Sequence, residues 1–499
     1  MTKLYSSLFT TKTGNIIPVF SSGKTMESKY NPVVEADRLL EITEKSDFYI
    51  ILGIGSGIFI EKLFTKYPNS TLLCVERTQE DLIFLQNLDS INKLNYKNII
   101  FSTIENLQEQ IIKNYIPAFY GSFKIIEQRA WIQENQDLYK NIKESIEAAL
   151  HEISKDFSVQ AHFGNIWHKN ILNNFNLMSE FKHKLCNLDL NTKKTAAIIA
   201  AGPSLNTTIK ELIKNRNNYF IISTDTAYSS LLKNNIIPEA VVSIDGQAIS
   251  RSHFLHKNNV LTNTLFIFDL CSNFSAANHI FENNGKVLFS ISGHPLSNFI
   301  SEKNPDSFIN LYSGSGTVTI AAFDFALKAG FSNIHVFGAD FSYLNGLSYA
   351  KGTYLDSIYS INSNKLNTIE NAFNKLFFRT ELIPLNKKKV STTVLNSYKE
   401  SFENYLGSNN LKWEKQKDIY YVSNENQNKI VLKELKYTYL ELVQNYINTQ
   451  STPQIQSIFE LNNWEISFLP LISWLRLHDN KDSSIDDLFK TAHSFLQRK

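Results

Sequence analysis

Two stretches of this chain repeat one arrangement, and a chain built that way has few folds open to it. A short, unbroken apolar run stops at a glycine or a carboxylate, a helical pattern follows, and another apolar run begins. Runs without polar alternation mark strands buried on both faces, which belong to parallel sheets covered by helices. In the first stretch Phe48–Gly53 leads into Gly53-Ile-Gly55-Ser-Gly57, Phe59–Lys66 reads as a helix, Thr71–Val75 stops at Glu76, and Asn98–Phe101 is a third strand. In the second, Ala196–Ala200 leads into Ala201-Gly-Pro-Ser-Leu205, and Phe220–Ser223, Ala240–Ile244, Leu265–Phe268 and Ile334–Phe337 follow as strands.

The fold class expected is therefore α/β: tandem Rossmann-like parallel-sheet domains with a mostly helical C-terminal region. Residues 1–145 form the N-terminal Rossmann-like domain. Residues 146–190 form a helical connector, with Ile142, Ile146, Leu150 and Ile153 spaced by three or four. Residues 191–360 form the central domain, and residues 361–499 the mostly helical C-terminal domain, with Leu435–Ile447 and Ile485–Leu496 in helical register. A length of 499 residues exceeds one ordinary domain, and 43% hydrophobic residues can fill several cores. Fifty basic against 48 acidic residues leave a net charge of +2, so no general attraction for nucleic acid or acidic lipid is expected. Cys74, Cys186 and Cys271 lie far apart with no CxxC pair, which fits a reducing compartment. Met1–Thr10 lacks the apolar stretch of a signal peptide, and no window suits a membrane span. The expectation is a soluble, cytoplasmic protein.

Three glycines and Glu76, at the end of the next strand, could approach a nucleoside and bind its ribose. The order resembles the start of methyltransferases that use S-adenosylmethionine, but no later catalytic motif of that class follows. The expected role of this domain is structural, with its ligand site degraded or absent. Gly23-Lys24-Thr25 imitates the end of a P-loop, yet the first glycine of that motif would fall at Pro18, so it reads as a turn.

The central domain is richer in chemistry. Gly202 permits close backbone approach, Pro203 suits a first helical turn, and Ser204 adds a hydroxyl beside a helix N-terminus. Asp225 and Asp245 end two strands at the edge expected to carry that turn. Each could bind ribose, take a proton or simply cap a helix. Ser313, Gly314, Ser315, Gly316 and Thr317 precede a helix and offer amides to an anion. Asp340 then closes a strand, and the following loop carries Tyr343, Asn345, Gly346, Tyr349 and Lys351. Tyrosine hydroxyls there could donate to a departing phosphate or serve only as packing.

The order of IIAAGPSLN (198–206), STDTA (223–227), SIDGQ (243–247), SGSGTVTIAAFDFALKAGFSNIHVFGADF (313–341) and NGLSYAKG (345–352) resembles the motility-associated Maf proteins. The early segment SKYNPVVEADRL (28–39) is similar to the N-terminal region of that family. The resemblance implies a cytoplasmic flagellin glycosyltransferase. It would move a nonulosonic acid of the pseudaminic or legionaminic type from a CMP-activated donor to serine or threonine hydroxyls of flagellin.

The central region is also similar to bacterial sialyltransferases that use CMP-sialic acid. Their GPSL turn falls at Gly202–Leu205, a nucleotide-binding asparagine at Asp225, and two phosphate-assisting tyrosines at Tyr343 and Tyr349. Two departures stand out. Ala201 replaces an asparagine, and no histidine lies between His335 and His478 to match their base. Asp225, Asp245 and His294 are the substitutes. No cofactor is expected beyond the donor substrate; the need for a divalent metal and the oligomeric state stay open.

Two other readings remain at this point. Archaeal relatives of the domain are pterin pyrophosphokinases using ATP and magnesium, and Asp225, Asp245 and Asp340 could hold a metal. The chain could instead be a non-enzymatic flagellin-binding assembly factor acting through Phe468–Leu475, a run that equally suits helix core.

Overall fold

The computed structural model describes residues 3–180, 190–255, 261–314, 316–361, 363–425, 430–449, 458–478 and 483–496. The chain divides into two compact units: Met1–Asn165 with Gln450–Lys499, and Ile166–Thr449.

The first unit opens with a hairpin of β1 (Tyr5–Thr10) and β2 (Ile16–Phe20). Its parallel sheet comprises β3 (Phe48–Leu52), β4 (Thr71–Glu76), β5 (Ile99–Thr103) and β6 (Phe123–Glu127), in the order β5-β4-β3-β6. Every residue of β3 and β4 is buried, which is why their sequences carry no polar alternation. In the SKYNP segment, Asn31 caps the helix Pro32–Ile42 by accepting the Val34 amide at 3.2 Å, and Pro32 occupies the first turn, where its missing N–H costs nothing. The Gly23 turn folds back on Phe20.

The apolar run near the C-terminus belongs to this unit's core. In the helix Leu469–His478, Leu471, Ile472 and Leu475 are buried. Arg476, on the same helix and 8% exposed, donates from Nε to the Ala118 carbonyl at 2.6 Å and from a terminal nitrogen to the Phe119 carbonyl at 2.7 Å. Those carbonyls end the short helix Pro117–Tyr120.

The second unit carries a nine-stranded sheet. Its strands are β7 (Thr195–Ile199), β8 (Tyr219–Thr224), β9 (Ala240–Ser243), β10 (Leu265–Asp269), β11 (Lys286–Ile291), β12 (Ile309–Asn310) and β13 (Asn333–Phe337). A three-stranded sheet follows, made of β14 (Tyr343–Leu344), β15 (Ile383–Pro384) and β16 (Lys389–Ser391), in the order β14-β16-β15. β17 (Lys412–Gln416) and β18 (Ile419–Ser423) complete the large sheet, whose order is β12-β11-β10-β9-β8-β7-β13-β18-β17. β12 through β13 are parallel, whereas β18 lies antiparallel to β13 and β17 antiparallel to β18.

The central strands feed two cores by alternation. Ile198, Ile222, Val242 and Val336 meet Ile320 and Phe323 of the helix Val318–Lys328, together with Phe402 and Leu406 of the helix Thr393–Ser408. Ile199, Ile221 and Phe337 face the opposite layer, where Leu205, Ile209 and Leu212 lie on one stripe of the helix Leu205–Lys214.

The long helix Gln136–Glu180 contains the division between units. Past that point its Asn174 donates to the Leu270 and Ser272 carbonyls at 2.9 and 2.8 Å, and Asn170 donates to the Gly246 and Cys271 carbonyls at 3.0 Å. These side chains fix the loops that leave β9 and β10.

The fold is the expected α/β arrangement of two Rossmann-like parallel sheets, and the region beyond residue 360 is mostly helical. That region also supplies β15 to β18, which the sequence reading did not anticipate; all five residues of β17 are exposed and leave no apolar pattern. Among the described residues no helix is long and apolar enough to cross a membrane. Cys74 and Cys271 are free and buried, and Cys186 lies outside the described residues.

Arg476→Met should strand two buried carbonyls. Chemical denaturation should then show the first unit weaker by about 2–4 kcal/mol. An unchanged midpoint would mean that water replaces the guanidinium.

Candidate functional site

The glycine turn of the first unit is filled by the chain's own side chains. The Glu27 carboxylate accepts the Ser56 amide at 2.5 Å, the position an anion would take at that helix start. A Cβ at Gly55 would strike this carboxylate. Glu76, fully buried, accepts Trp131 Nε1 at 2.6 Å and the Arg77 amide at 2.8 Å on one oxygen, and the Tyr5 hydroxyl at 3.1 Å and the Ile54 amide at 3.4 Å on the other. The acid read as a ribose ligand thus spends its acceptors inside the protein. Burial raises both carboxyls, Glu27 and Glu76, to about 7.

The second unit is arranged differently. Its chain runs from β7 outward through β12 on one side, then returns to place β13 on the other side of β7. The crevice beyond the carboxyl ends of β7 and β13 is therefore the topological switch point, the usual ligand position in open parallel sheets. Gly202 and Pro203 leave β7 there, and Gly338 to Asp340 leave β13. The Gly202 amide donates to the Gly338 carbonyl at 2.8 Å, and the Ser204 amide donates to Asp340 Oδ2 at 2.7 Å. A Cβ on Gly202 would strike the Gly338 carbonyl and the Asp340 carboxylate, so this approach needs glycine.

Two buried polar atoms at this junction, Ser204 Oγ and Asp340 Oδ1, make no hydrogen bond of good geometry, although the Ser204 hydroxyl is close enough to Asp340 to favour its ionised form. Ser204 is 1% and Asp340 9% exposed. The loop with Tyr349 lies on the same turn, since the Ala350 amide donates to the Ala201 carbonyl at 2.8 Å and the Lys351 amide to Asn206 Oδ1 at 2.8 Å. The Lys351 side chain itself is exposed. Ser348 Oγ and Thr353 Oγ1, in this loop, are also buried without partners.

Asp225 and Asp245 stand at the neighbouring strand ends. Asp225 accepts the Thr226 amide at 2.6 Å and the Ser243 hydroxyl at 2.8 Å, while Thr224, not Asp225, caps the helix that follows. Asp245 accepts the Gln247 amide at 2.9 Å; burial raises its carboxyl, and the charge of Asp225 raises it further. Tyr349 is held protonated, pushed up to about 12 by burial, with Tyr354, Tyr343, Tyr398 and Asp225 as electrostatic neighbours. Burial also raises Tyr343.

His294 has a different setting. It caps the helix Pro295–Lys303 through Nδ1, which accepts the Leu296 amide at 3.1 Å, and its ring meets Trp167 edge-on. Burial, with His168 nearby, lowers it to about 3. Gly314 and Gly316 turn the chain ahead of the helix Val318–Lys328, where Thr317 is the cap. The Ser313 carbonyl accepts the Gly316 and Thr317 amides at 3.1 and 3.0 Å, and Ser315 lies outside the described residues. Among the described residues no three His, Cys, Asp or Glu side chains converge as a metal site.

Sequence reading passed over several participants. His253, near Asp225 and Asp245, sits 4.1 Å from the Tyr354 ring, and burial lowers its pKa. Asp269 ends β10, raised by burial to about 6 with Oδ2 unpartnered. Asn170 and Asn174 were legible only as a polar pair four residues apart on a helix.

Residues 169–346 match the family model described as 6-hydroxymethylpterin diphosphokinase MptE-like. An uncharacterized protein of Treponema pallidum (strain Nichols) is 34% identical over 142 residues, 28% of this chain and 67% of that protein. The chain belongs to one family with it. A second uncharacterized treponemal protein is 34% identical over 140 residues, and there the match spans 49% of its length. A solved structure of a MAf glycosyltransferase from Magnetospirillum magneticum AMB-1 aligns over 99% of this chain and 86% of that one, with a TM-score of 0.49 and 13% identity.

Two measurements follow from this geometry. Because the folded state holds Glu27 and Glu76 protonated up to about pH 7, it binds more protons than the unfolded chain between about pH 4.5 and 7. The first unit should lose stability as pH rises through that window, and Glu27→Gln should flatten the slope; a profile rising over the same range would contradict the buried carboxyls. Asn174→Leu should cost about 2–4 kcal/mol by stranding two carbonyls, and hydrogen exchange should rise in the loop after β10.

Proposed function

We propose that the protein is a glycosyltransferase of the Maf type, moving a nonulosonic acid from a CMP-activated donor to serine or threonine hydroxyls of flagellin. The observation that supports this best is the β7–β13 crevice, where Ser204 Oγ and Asp340 Oδ1 are buried without partners. Burying such atoms unpaired costs about 1–3 kcal/mol each. A ribose hydroxyl suits both, donating to the carboxylate and accepting from the serine.

In this reading the bond between the anomeric carbon and the phosphate oxygen breaks, and its electron pair leaves with CMP. The acceptor oxygen forms the new bond to that carbon, and its proton passes to a base. Tyr349, kept protonated by burial, donates to the departing phosphate. Asp245, whose affinity for a proton is raised by burial and by the charge of Asp225, is the base.

A second reading is a pyrophosphoryl transfer from ATP, favoured by the diphosphokinase name of the matching family model and by carboxylates at four strand ends, Asp225, Asp245, Asp269 and Asp340.

Thermal unfolding with CMP, with ATP plus magnesium, and with S-adenosylhomocysteine separates these readings. A ligand at about 100 times its Kd adds about 2.7 kcal/mol. Stabilisation by CMP alone is expected; a response to ATP with magnesium alone would transfer the assignment to the kinase, and a response to S-adenosylhomocysteine would contradict the filled turn of the first unit. With donor and flagellin supplied, Tyr349→Phe should lower kcat about 100-fold or more while leaving CMP affinity nearly unchanged. Wild-type turnover in that variant would remove Tyr349 from the reaction.

A further inference from the structure

One part of the C-terminal region, the β17–β18 hairpin, reaches the carboxyl edge of the sheet, although no candidate residue was expected in it. Because β18 is antiparallel to β13, with Tyr420 opposite Val336, the turn between β17 and β18 emerges at the carboxyl edge of the sheet. It comes out beside Gly338 to Asp340. Lys417 and Asp418 form that turn, both with positive φ, and Lys415 lies just before it. Lys389, at the start of β16, pairs with Asp418 at 3.0 Å. The ammonium of Lys415 lies 4.4 Å from the centre of the Tyr420 ring and 3.3 Å from its hydroxyl.

These groups share one electrostatic neighbourhood. Lys389 and Asp418 are the charges acting on Asp340, while Lys415 is acted on by Asp340, Asp418, Lys389 and Lys399. Lys399 comes from the helix Thr393–Ser408. Lys389 is paired with Asp418 and Lys399 with Glu403 at 3.9 Å, so Lys415, whose ammonium meets the Tyr420 ring and hydroxyl, is the cation of this group with no carboxylate in ion-pair reach among the described residues. Asp340 in turn holds the Ser204 amide on one oxygen and leaves the other unpartnered.

We propose that Lys389 and Lys415 form the cationic subsite that takes the anionic group of the ligand bound between β7 and β13. The inference rests on the donor reading above, in which that ligand is a nucleotide sugar. Two groups of such a donor are anionic, its phosphate and its sugar carboxylate, and a lysine ammonium pairs with either.

The test uses the full chain with Lys389→Met, Lys415→Met and the charge-preserving Lys415→Arg. Calorimetry with CMP, cytidine and N-acetylneuraminic acid compares phosphate, neutral nucleoside and free sugar acid. If the subsite takes phosphate, each methionine variant weakens CMP about 10- to 100-fold and leaves cytidine unchanged, with Lys415→Arg close to wild type. If it takes the carboxylate, the loss appears with the sugar acid instead.

Methionine variants that bind both anions like wild type overturn the proposal, as does an equal loss of cytidine, which would mean a structural role. Failure of the donor reading would show in the wild type, as binding of ATP without CMP. The same variants compared on ATP and adenosine would then decide the lysines separately. A wild-type protein that binds none of these ligands overturns both.

Discussion

The junction of β7 with β13 organises the second unit. These strands are 134 or more residues apart in the chain, yet the backbone continues their pairing past the strand ends through the Gly202 amide on the Gly338 carbonyl, and the Asp340 side chain then takes the Ser204 amide. Neither contact tolerates a Cβ at residue 202. The close approach turns the first helical turn after β7 toward the crevice and fixes one oxygen of Asp340. It also anchors the tyrosine loop, which follows directly and bonds back to Ala201. Loss of that glycine–glycine contact would displace each of these groups together.

The two units place the same ingredients, a glycine turn and a strand-end acid, but bond the acid differently. Glu76 meets four donors, and Glu27 occupies the adjacent amide. Asp340 has one donor and an idle oxygen, and Ser204 has an idle hydroxyl. Polar groups that are satisfied internally specify a fold, whereas buried groups left unsatisfied reserve their bonds for something else. The difference lies in the strand-end acids, since Glu76 has donors on both oxygens and Asp340 on one; the turns themselves are alike in that Glu27 Oε2 and Ser56 Oγ, like Ser204 Oγ, are buried without a partner.

Much of this was legible in the residues. Short unbroken apolar runs such as those of β3, β7 and β8, closed by glycine or small residues, read as buried parallel strands, and Gly-Pro-Ser after β7 marks a tight turn into a helix. The grouping of Asp225, Asp245, Asp340 and Tyr349 follows from strand order, because parallel strands end at one edge. What escaped has a physical reason in each case. The plug by Glu27 depends on a contact 29 residues distant in the chain, and no local pattern encodes it. Asn170 and Asn174 look like ordinary polar positions on a helix until the carbonyls they serve are known. His294 read as a catalytic substitute because histidine is chemically versatile, but its position before Pro295 also suits a helix cap, and the structure gives it that bond.

The lysines of the C-terminal region illustrate a further limit. An edge strand whose residues are all exposed carries no apolar periodicity, and Lys412–Gln416 is such a strand. Its position becomes meaningful only through pairing, because an antiparallel addition to a parallel sheet reverses which end of the hairpin meets the ligand edge. A parallel strand at this place would deliver its following loop there and require a long crossover to return. The antiparallel hairpin instead brings a two-residue tip to the edge directly, at the cost of two left-handed residues, Lys417 and Asp418, that are not glycine. The Lys389–Asp418 ion pair then holds the tip beside Asp340. Sequence far from the recognisable motifs thereby contributes charge to the crevice those motifs build.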